Sequence, residues 1–229
     1  YPENPETVVI QNPIYPRGLR EIDIWNHYQK YKNKILDETK NRDLMFIIMV
    51  EKNKPVVKRR AGSGFIRLTP QNYDQLITGR TVSIHSSMGM YEDFGIIDVD
   101  IHPSDGFKWA IKVTSDVYDY IMDKVPLVRQ ASIRFTGKTS FHIVCKFAKK
   151  MKIDTIRYLL QKFMEDSDLS RVYSVGGRRR AGVPNIDFAP NKHRGSYITL
   201  NSLSEIGLMC VEVPYQQLNS FFPRKAKIK

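Results

Sequence analysis

The 229 residues suit one large domain or two small intimate ones, and at 41% hydrophobic and 11% aromatic they can bury a substantial core. Lysines and arginines number 36 against 24 acids, a formal charge of +12 that favours a polyanionic partner: nucleic acid, nucleotide phosphates or an anionic surface. Two cysteines, Cys145 and Cys210, exclude a zinc module and a disulfide framework, which points to a reducing cytoplasm, and the longest apolar run, Leu44 to Val50, is too short to span a bilayer.

The first residue is Tyr1 rather than Met, as expected either of a trimmed chain or of an excised domain, and no signal peptide is visible. Residues 1–21 read as an extended, proline-rich lead-in. A helix follows from about Glu21 to Asp37, with Ile22, Trp25, Tyr28, Ile35 and Leu36 predicted inward. Leu44 to Val50 is a buried strand, and Val56 to Arg60 its hairpin partner across the turn at Pro55. Among Lys58, Arg59 and Arg60, at least one is expected to be held against apolar neighbours. Phe65 to Leu68, a short helix from Pro70, and Thr81 to Ser86 come next.

Residues 95–103, Gly-Ile-Ile-Asp-Val-Asp-Ile-His-Pro, are the centre of the chain. Ile97, Val99 and Ile101 alternate with Asp98 and Asp100, so a strand here turns its apolar set to a core and both carboxylates to the other face. Neighbours on one strand face sit roughly 6–7 Å apart, a spacing at which two carboxylates repel each other unless a cation lies between them. A helix over Thr114 to Lys124, strands over 131–135 and 140–147, and a helix over 154–164 follow. Residues 167–183 form a polar loop rich in Arg and Gly. Asn185 to Phe188 and Ser196 to Leu200 are short strands around a turn at Pro190 to Gly195, and Tyr215 to Phe221 has helical propensity ahead of a basic tail, 221–229. From 94 to 200 the order is strand–helix–strand–strand–helix–strand, a split β-α-β pattern. The expected fold is therefore α+β: an RRM-like or palm-like antiparallel sheet with helices packed on it (core 94–203), plus an N-terminal α/β layer. Both belong to one compact two-layered catalytic domain over 22–220.

Three stretches place polar chemistry on such a sheet: Asp98-Val-Asp100-Ile-His-Pro, Thr136-Gly-Lys-Thr-Ser-Phe-His142, and Asn185-Ile-Asp187-Phe-Ala-Pro-Asn191-Lys-His-Arg194-Gly195. Three Asp around one sheet can hold two divalent ions about 3.5–4 Å apart, the arrangement that aligns an attacking hydroxyl and a leaving pyrophosphate. In order and spacing these stretches resemble the three motifs of the archaeo-eukaryotic primase superfamily, and most of all the polymerase domain of bacterial end-joining ligases. Asn12-Pro-Ile-Tyr-Pro to Arg20, Val56-Val-Lys-Arg59 and Ile84-His85 are similar to further segments of that family, so the resemblance spans most of residues 10–205.

The resemblance implies that Asp98, Asp100 and Asp187 are catalytic and bind two Mn²⁺ or Mg²⁺ ions. It implies that Lys58, His85, Thr136, Lys138, Ser140, His142, Arg180, Asn191 and Arg194 contact the nucleotide, and that Arg20 lies near the grip on a DNA 5′-phosphate. It further implies NTP or dNTP addition to gapped, overhanging or single-stranded template DNA, in end-joining gap filling, with a DNA ligase and a Ku-like protein as partners. No zinc and no membrane are expected. The chain departs from the family where Thr139 stands in place of a Lys, and where Leu200-Asn-Ser-Leu-Ser204 lacks the family's Arg. A replicative or plasmid- or viral-type primase, a metal-dependent nuclease, and a non-catalytic nucleic-acid-binding module are the rival readings.

Overall fold

The computed structural model describes residues 18–51, 54–177 and 181–228. The chain opens with helices α1 (Glu21–Lys30) and α2 (Lys32–Glu38), then strands β1 (Leu44–Glu51), β2 (Lys54–Lys58), β3 (Arg60–Ala61) and β4 (Gly64–Phe65), helix α3 (Tyr73–Leu76) and β5 (Thr81–Ser87). It continues with β6 (Tyr91–Asp100), α4 (Phe107–Lys124), β7 (Val128–Phe135), β8 (Phe141–Lys152), α5 (Ile153–Glu165), β9 (Ser174–Val175), β10 (Asn185–Asp187), β11 (Ser196–Ile198) and β12 (Val211–Val213). Two 3₁₀ turns, Tyr215–Ser220 and Pro223–Ala226, close it.

The described residues divide into two compact units. One is built from those of 18–87, 196–210 and 223–228, the other from those of 88–195 and 211–222. Strand β11 pairs within the sheet of the first unit, apart from the acid-bearing sheet.

The first unit holds an antiparallel sheet in the order β11-β5-β1-β2. Its core gathers Ile24, Tyr28 and Ile35 from the helices with Leu44, Phe46, Ile66, Tyr73, Ile77 and Ile84. Each such side chain contributes roughly 1.5–3 kcal/mol by leaving water. Two buried tyrosines satisfy their hydroxyls inside it: Tyr28 donates to the Val82 carbonyl at 3.2 Å and Tyr73 to the Tyr28 carbonyl at 2.9 Å. The inner face of α1 is Glu21, Ile24, His27 and Tyr28, not the predicted Ile22 and Trp25. The long predicted helix also breaks at Tyr31, which separates α1 from α2. Residues 223–228 of the tail belong to this unit: Ala226 is buried and its carbonyl accepts from the Met209 N–H at 2.8 Å.

The second unit holds a six-stranded sheet, β12-β7-β8-β6-β10-β9, antiparallel except for the β9–β10 pair. Its β6-α4-β7-β8-α5-β10 order is the predicted one, although α4 starts at Phe107 rather than Thr114 and β6 absorbs part of the expected 87–93 loop. One sheet face is apolar, with Ile97, Val99, Ile133, Ile143, Phe141 and Ile186 buried. Helix α5 sits directly on it. A Cβ placed on Gly95 would lie 2.5 Å from Ile156 and 2.8 Å from Leu160, so only glycine allows this approach. An aromatic cluster of Phe107, Phe135, Phe141 and Phe221 seals one end, with centroids 5.2–6.1 Å apart. Among the described residues, no helix is long and apolar enough to cross a membrane. Cys145 and Cys210 are buried and form no disulfide, and burial pushes the Cys145 thiol up to about 12.

Candidate active site

Register decides which side chains share a surface. Directly opposed residues of antiparallel strands project from the same face, as do residues two apart on one strand. Asp98 on β6 faces Asp187 on β10 and His142 on β8. His142 in turn faces Arg134 on β7, and Arg134 faces Glu212 on β12. The five strands thus present a single transverse row, Glu212, Arg134, His142, Asp98, Asp187, on the face opposite the helices. The next row carries Asp100 facing Asn185, which faces Ser174. All three acids therefore lie on one face, in adjacent strands.

Each is held differently. His142 is 6% exposed, and its Nε2 lies 3.7 Å from Asp98 Oδ1. Asp187 Oδ1 accepts from the Phe188 and Ala189 N–H groups at 2.7 and 3.0 Å, which fixes the carboxylate and leaves Oδ2 for another partner. Asn185 is 3% exposed, and its Oδ1 has no hydrogen-bond partner among the described residues. A buried acceptor beside a carboxylate is costly by about 1–3 kcal/mol unless something supplies a donor or a cation.

Next to the row, the 136–140 turn closes on itself. The Thr136 N–H and Oγ1 both reach the Ser140 carbonyl, at 3.1 and 3.0 Å, and Thr136 Oγ1 lies 2.8 Å from Ser140 Oγ. Gly137 supports the turn at φ +82°, and Lys138 is exposed at its tip. Thr136 is thus engaged in closing the turn, while Ser140 immediately precedes the strand that carries His142.

Asn191, expected to meet a nucleotide, is fully buried. Its Oδ1 accepts from the Ile96 N–H at 2.7 Å, and its Nδ2 donates to the Ile96 and Phe188 carbonyls. The amide extends the β6–β10 ladder by one position after β10 ends, a structural duty that commits both of its ends. Arg194 lies exposed in the following turn at φ +61°, and its N–H donates to the Met88 carbonyl at 2.9 Å.

The remaining candidates belong to the first unit. Lys58 ends the edge strand β2, every residue of which is exposed, and Arg59 and Arg60 are exposed too, yet Arg60 is held against an apolar neighbour. The Arg60 guanidinium lies 5.0 Å from the Phe65 ring centroid. His85 Nε2 lies 3.0 Å from Ser83 Oγ. Arg20 caps α1, paired through Nε and Nη2 with Asp23 at 3.0 and 2.9 Å; Asp23 thereby raises the Arg20 pKa and is itself held below its usual range. Arg180 and the segment around Asn12 lie outside the described residues.

Arg134 and Asn185 were not anticipated from sequence. An arginine within the apolar alternation of Ala131-Ser-Ile-Arg-Phe135 was the available signal for the first. Nothing short of the pairing register marks the second.

The donor set suits a hard divalent cation, since it offers carboxylate oxygens and a buried amide oxygen. Opposed Cβ atoms lie roughly 4.5–5.5 Å apart, within reach of one ion for Asp98 and Asp187. As placed, however, no three or more His, Cys, Asp or Glu among the described residues are gathered as a ligand set, so convergence requires side-chain rotation.

No protein-family model matches the sequence, and no curated protein matches it. Among solved structures, the chain is similar to the polymerase domain of Mycobacterium tuberculosis Ligase D in complex with DNA. The TM-score is 0.72 at 12% identity, covering 93% of this chain and 88% of that one. Over nearly its whole length, the chain shares its fold with a polymerase domain solved on DNA.

Proposed function

We propose that this protein is a template-directed nucleotidyltransferase, a primase-polymerase that adds NTPs or dNTPs to DNA in end-joining gap filling. The observation that carries the reading is the common face of Asp98, Asp100 and Asp187, with His142 directly opposite Asp98. The fold shared with a DNA-bound polymerase domain supports it, and so does the charge of +12. The palm-like description of the acid-bearing sheet belongs to the same reading.

In this reading Asp98, Asp100 and Asp187 hold the divalent cations, Mn²⁺ or Mg²⁺. Once bound, these supply Lewis-acid activation of a 3′-hydroxyl and neutralise the departing pyrophosphate. The buried Asn185 acceptor steadies the same face. His142 orients the triphosphate, with Ser140 and Lys138 beside it donating to phosphate oxygens. Asn191 and the Asp187 backbone bonds position the third acid. Arg180 and Arg194 add nucleotide contacts in the same unit; in the first unit, Lys58 and His85 are the proposed phosphate contacts, and Arg20 meets a 5′-phosphate in exchange for Asp23. A ligase and a Ku-like protein are the proposed partners.

The test is extension of a gapped, 5′-phosphorylated template with NTPs and dNTPs in Mn²⁺ or Mg²⁺. Asp98→Ala should lower the rate at least roughly a hundredfold, and full activity in that variant would overturn the assignment. Synthesis without a primer would favour the replicative or plasmid-type primase instead. A second reading, binding without chemistry, draws on the charge of +12. Salt-sensitive DNA binding that ignores both Mn²⁺ and NTP would favour it.

A further inference from the structure

The second unit carries a shallow cleft of about 560 Å³ lined by Asp105, Lys108, Trp109, Lys112 and Gly182. None of these residues has a role in the chemistry above. The cleft is built rather than incidental. Asp105 accepts the Gly182 N–H on both carboxylate oxygens, at 2.9 and 3.0 Å, and so ties the loop before β10 to the start of α4. The half-buried Trp109 is braced edge-on by Tyr173, 6.3 Å between centroids at 76°. Tyr173 donates to Asp116 Oδ2 at 2.5 Å, the same oxygen that Lys112 meets at 2.6 Å. The indole, the Lys112 ammonium and the loop are therefore braced on one surface, with the exposed Lys108 beside them.

We infer that this cleft is a stacking platform for single-stranded DNA, with an unpaired base on the Trp109 indole and flanking phosphates on Lys108 and Lys112. The inference rests on the nucleic-acid reading above and names where the unpaired strand runs. A braced aromatic face beside cations, in an open rather than enclosed cleft, is what sequence-tolerant single-strand binding uses. The chain path also connects the cleft to the acid face. Gly182 precedes Asn185 by three residues and Asp105 follows Asp100 by five, so backbone reach bounds the two separations at roughly 11 and 18 Å. The acid row lies on the sheet face opposite α4, so a strand leaving it rounds the β10–β9 edge to arrive there.

The protein carries its own reporter, because Trp25 and Trp109 are its two tryptophans. In Trp25→Phe protein, titration with oligo-dT should quench Trp109 emission. In the otherwise unaltered protein, Trp109→Leu should weaken labelled oligo-dT binding roughly fivefold or more, with Trp109→Phe close to the parent. Lys108→Ala should reduce the log–log salt slope by about 0.7. Unchanged emission at saturating oligo-dT, or unchanged affinity in Trp109→Leu, overturns the inference. Should Trp109→Leu fail to fold by thermal melt, the quench and the Lys108→Ala slope decide. Quenching and weakened binding in a protein that never extends a primer would leave the cleft and overturn the polymerase. Robust extension with an unaltered template KM in Trp109→Leu would leave the polymerase and overturn the cleft.

Discussion

Asp187 combines two duties that a substitution can separate. Its Oδ1 holds the Phe188 and Ala189 N–H groups, and its charge faces Asp98. Asp187→Asn keeps an acceptor oxygen and removes the charge. It should melt close to the parent yet lose at least roughly a hundredfold in primer extension. Asp187→Ala loses both acceptors and should in addition cost about 1–3 kcal/mol in denaturant unfolding. Equal stability in the two variants would mean the backbone bonds contribute nothing. A different residue governs the acid limb of stability. Burial, then the Lys30 charge, outweighs the Asn201 carbonyl bond and lowers the His27 pKa to about 4. The unfolded chain protonates this imidazole near 6.5, so it binds the proton first. The contribution of His27 is present above pH 6.5 and is lost as pH falls towards 4, by at most about 3 kcal/mol. His27→Gln keeps a donor for the Asn201 carbonyl and should flatten that part of the stability profile measured by urea unfolding. At this scale the sequence was readable wherever alternation spoke. Asp98 and Asp100 stand out against Ile97 and Val99, and their common face follows from the period alone. Asn191 was unreadable, since a polar residue in a Pro-Asn-Lys turn looks like a surface group until Ile96 is seen to need its amide.

The turn that carries Asn191 is the element on which the third acid depends. Lys192 donates to the Pro190 carbonyl, Gly195 to that of Lys192 at 2.7 Å, and Met88 to that of Gly195 at 2.7 Å. A Cβ on Gly195 would lie 2.1 Å from the Pro190 carbonyl oxygen, a backbone atom without room to move. Gly195→Ala should therefore destabilise the protein by more than about 2 kcal/mol and reduce extension by displacing β10. Retention of the parent melting temperature would mean the turn is loose. The split order of β6, α4, β7, β8, α5 and β10 was legible because their periods differ cleanly. The phase of α1 was misread because Trp25 and Ile22 are larger than the Glu21 and His27 that the fold buries through the Arg80 pair and the Asn201 carbonyl. The edge position of β2 was hidden because its valines are exposed at 46% and 56%, against every expectation from composition.

Across the whole molecule, the charge of +12 and the three acids of one sheet face oppose each other as far as a polyanion is concerned. Each carboxylate that faces a phosphate at about 4 Å costs on the order of 1 kcal/mol in water, and more where solvent is excluded. A bound divalent cation reverses that sign, since it brings two positive charges to the place of one negative. The acid face therefore makes a prediction that does not need turnover. With divalent ions chelated, Asp98→Asn and Asp187→Asn should each bind a gapped duplex more tightly than the parent, by roughly fivefold or more, because repulsion is removed. With Mn²⁺ present the order should invert, because the parent gains the ion and the variants do not. Fluorescence anisotropy of labelled DNA under both conditions, at one salt concentration, measures the inversion directly. A surface whose acids lie away from DNA would show the parent and both variants with equal affinities under each condition, and the common face of Asp98, Asp100 and Asp187 would then have no bearing on nucleic acid.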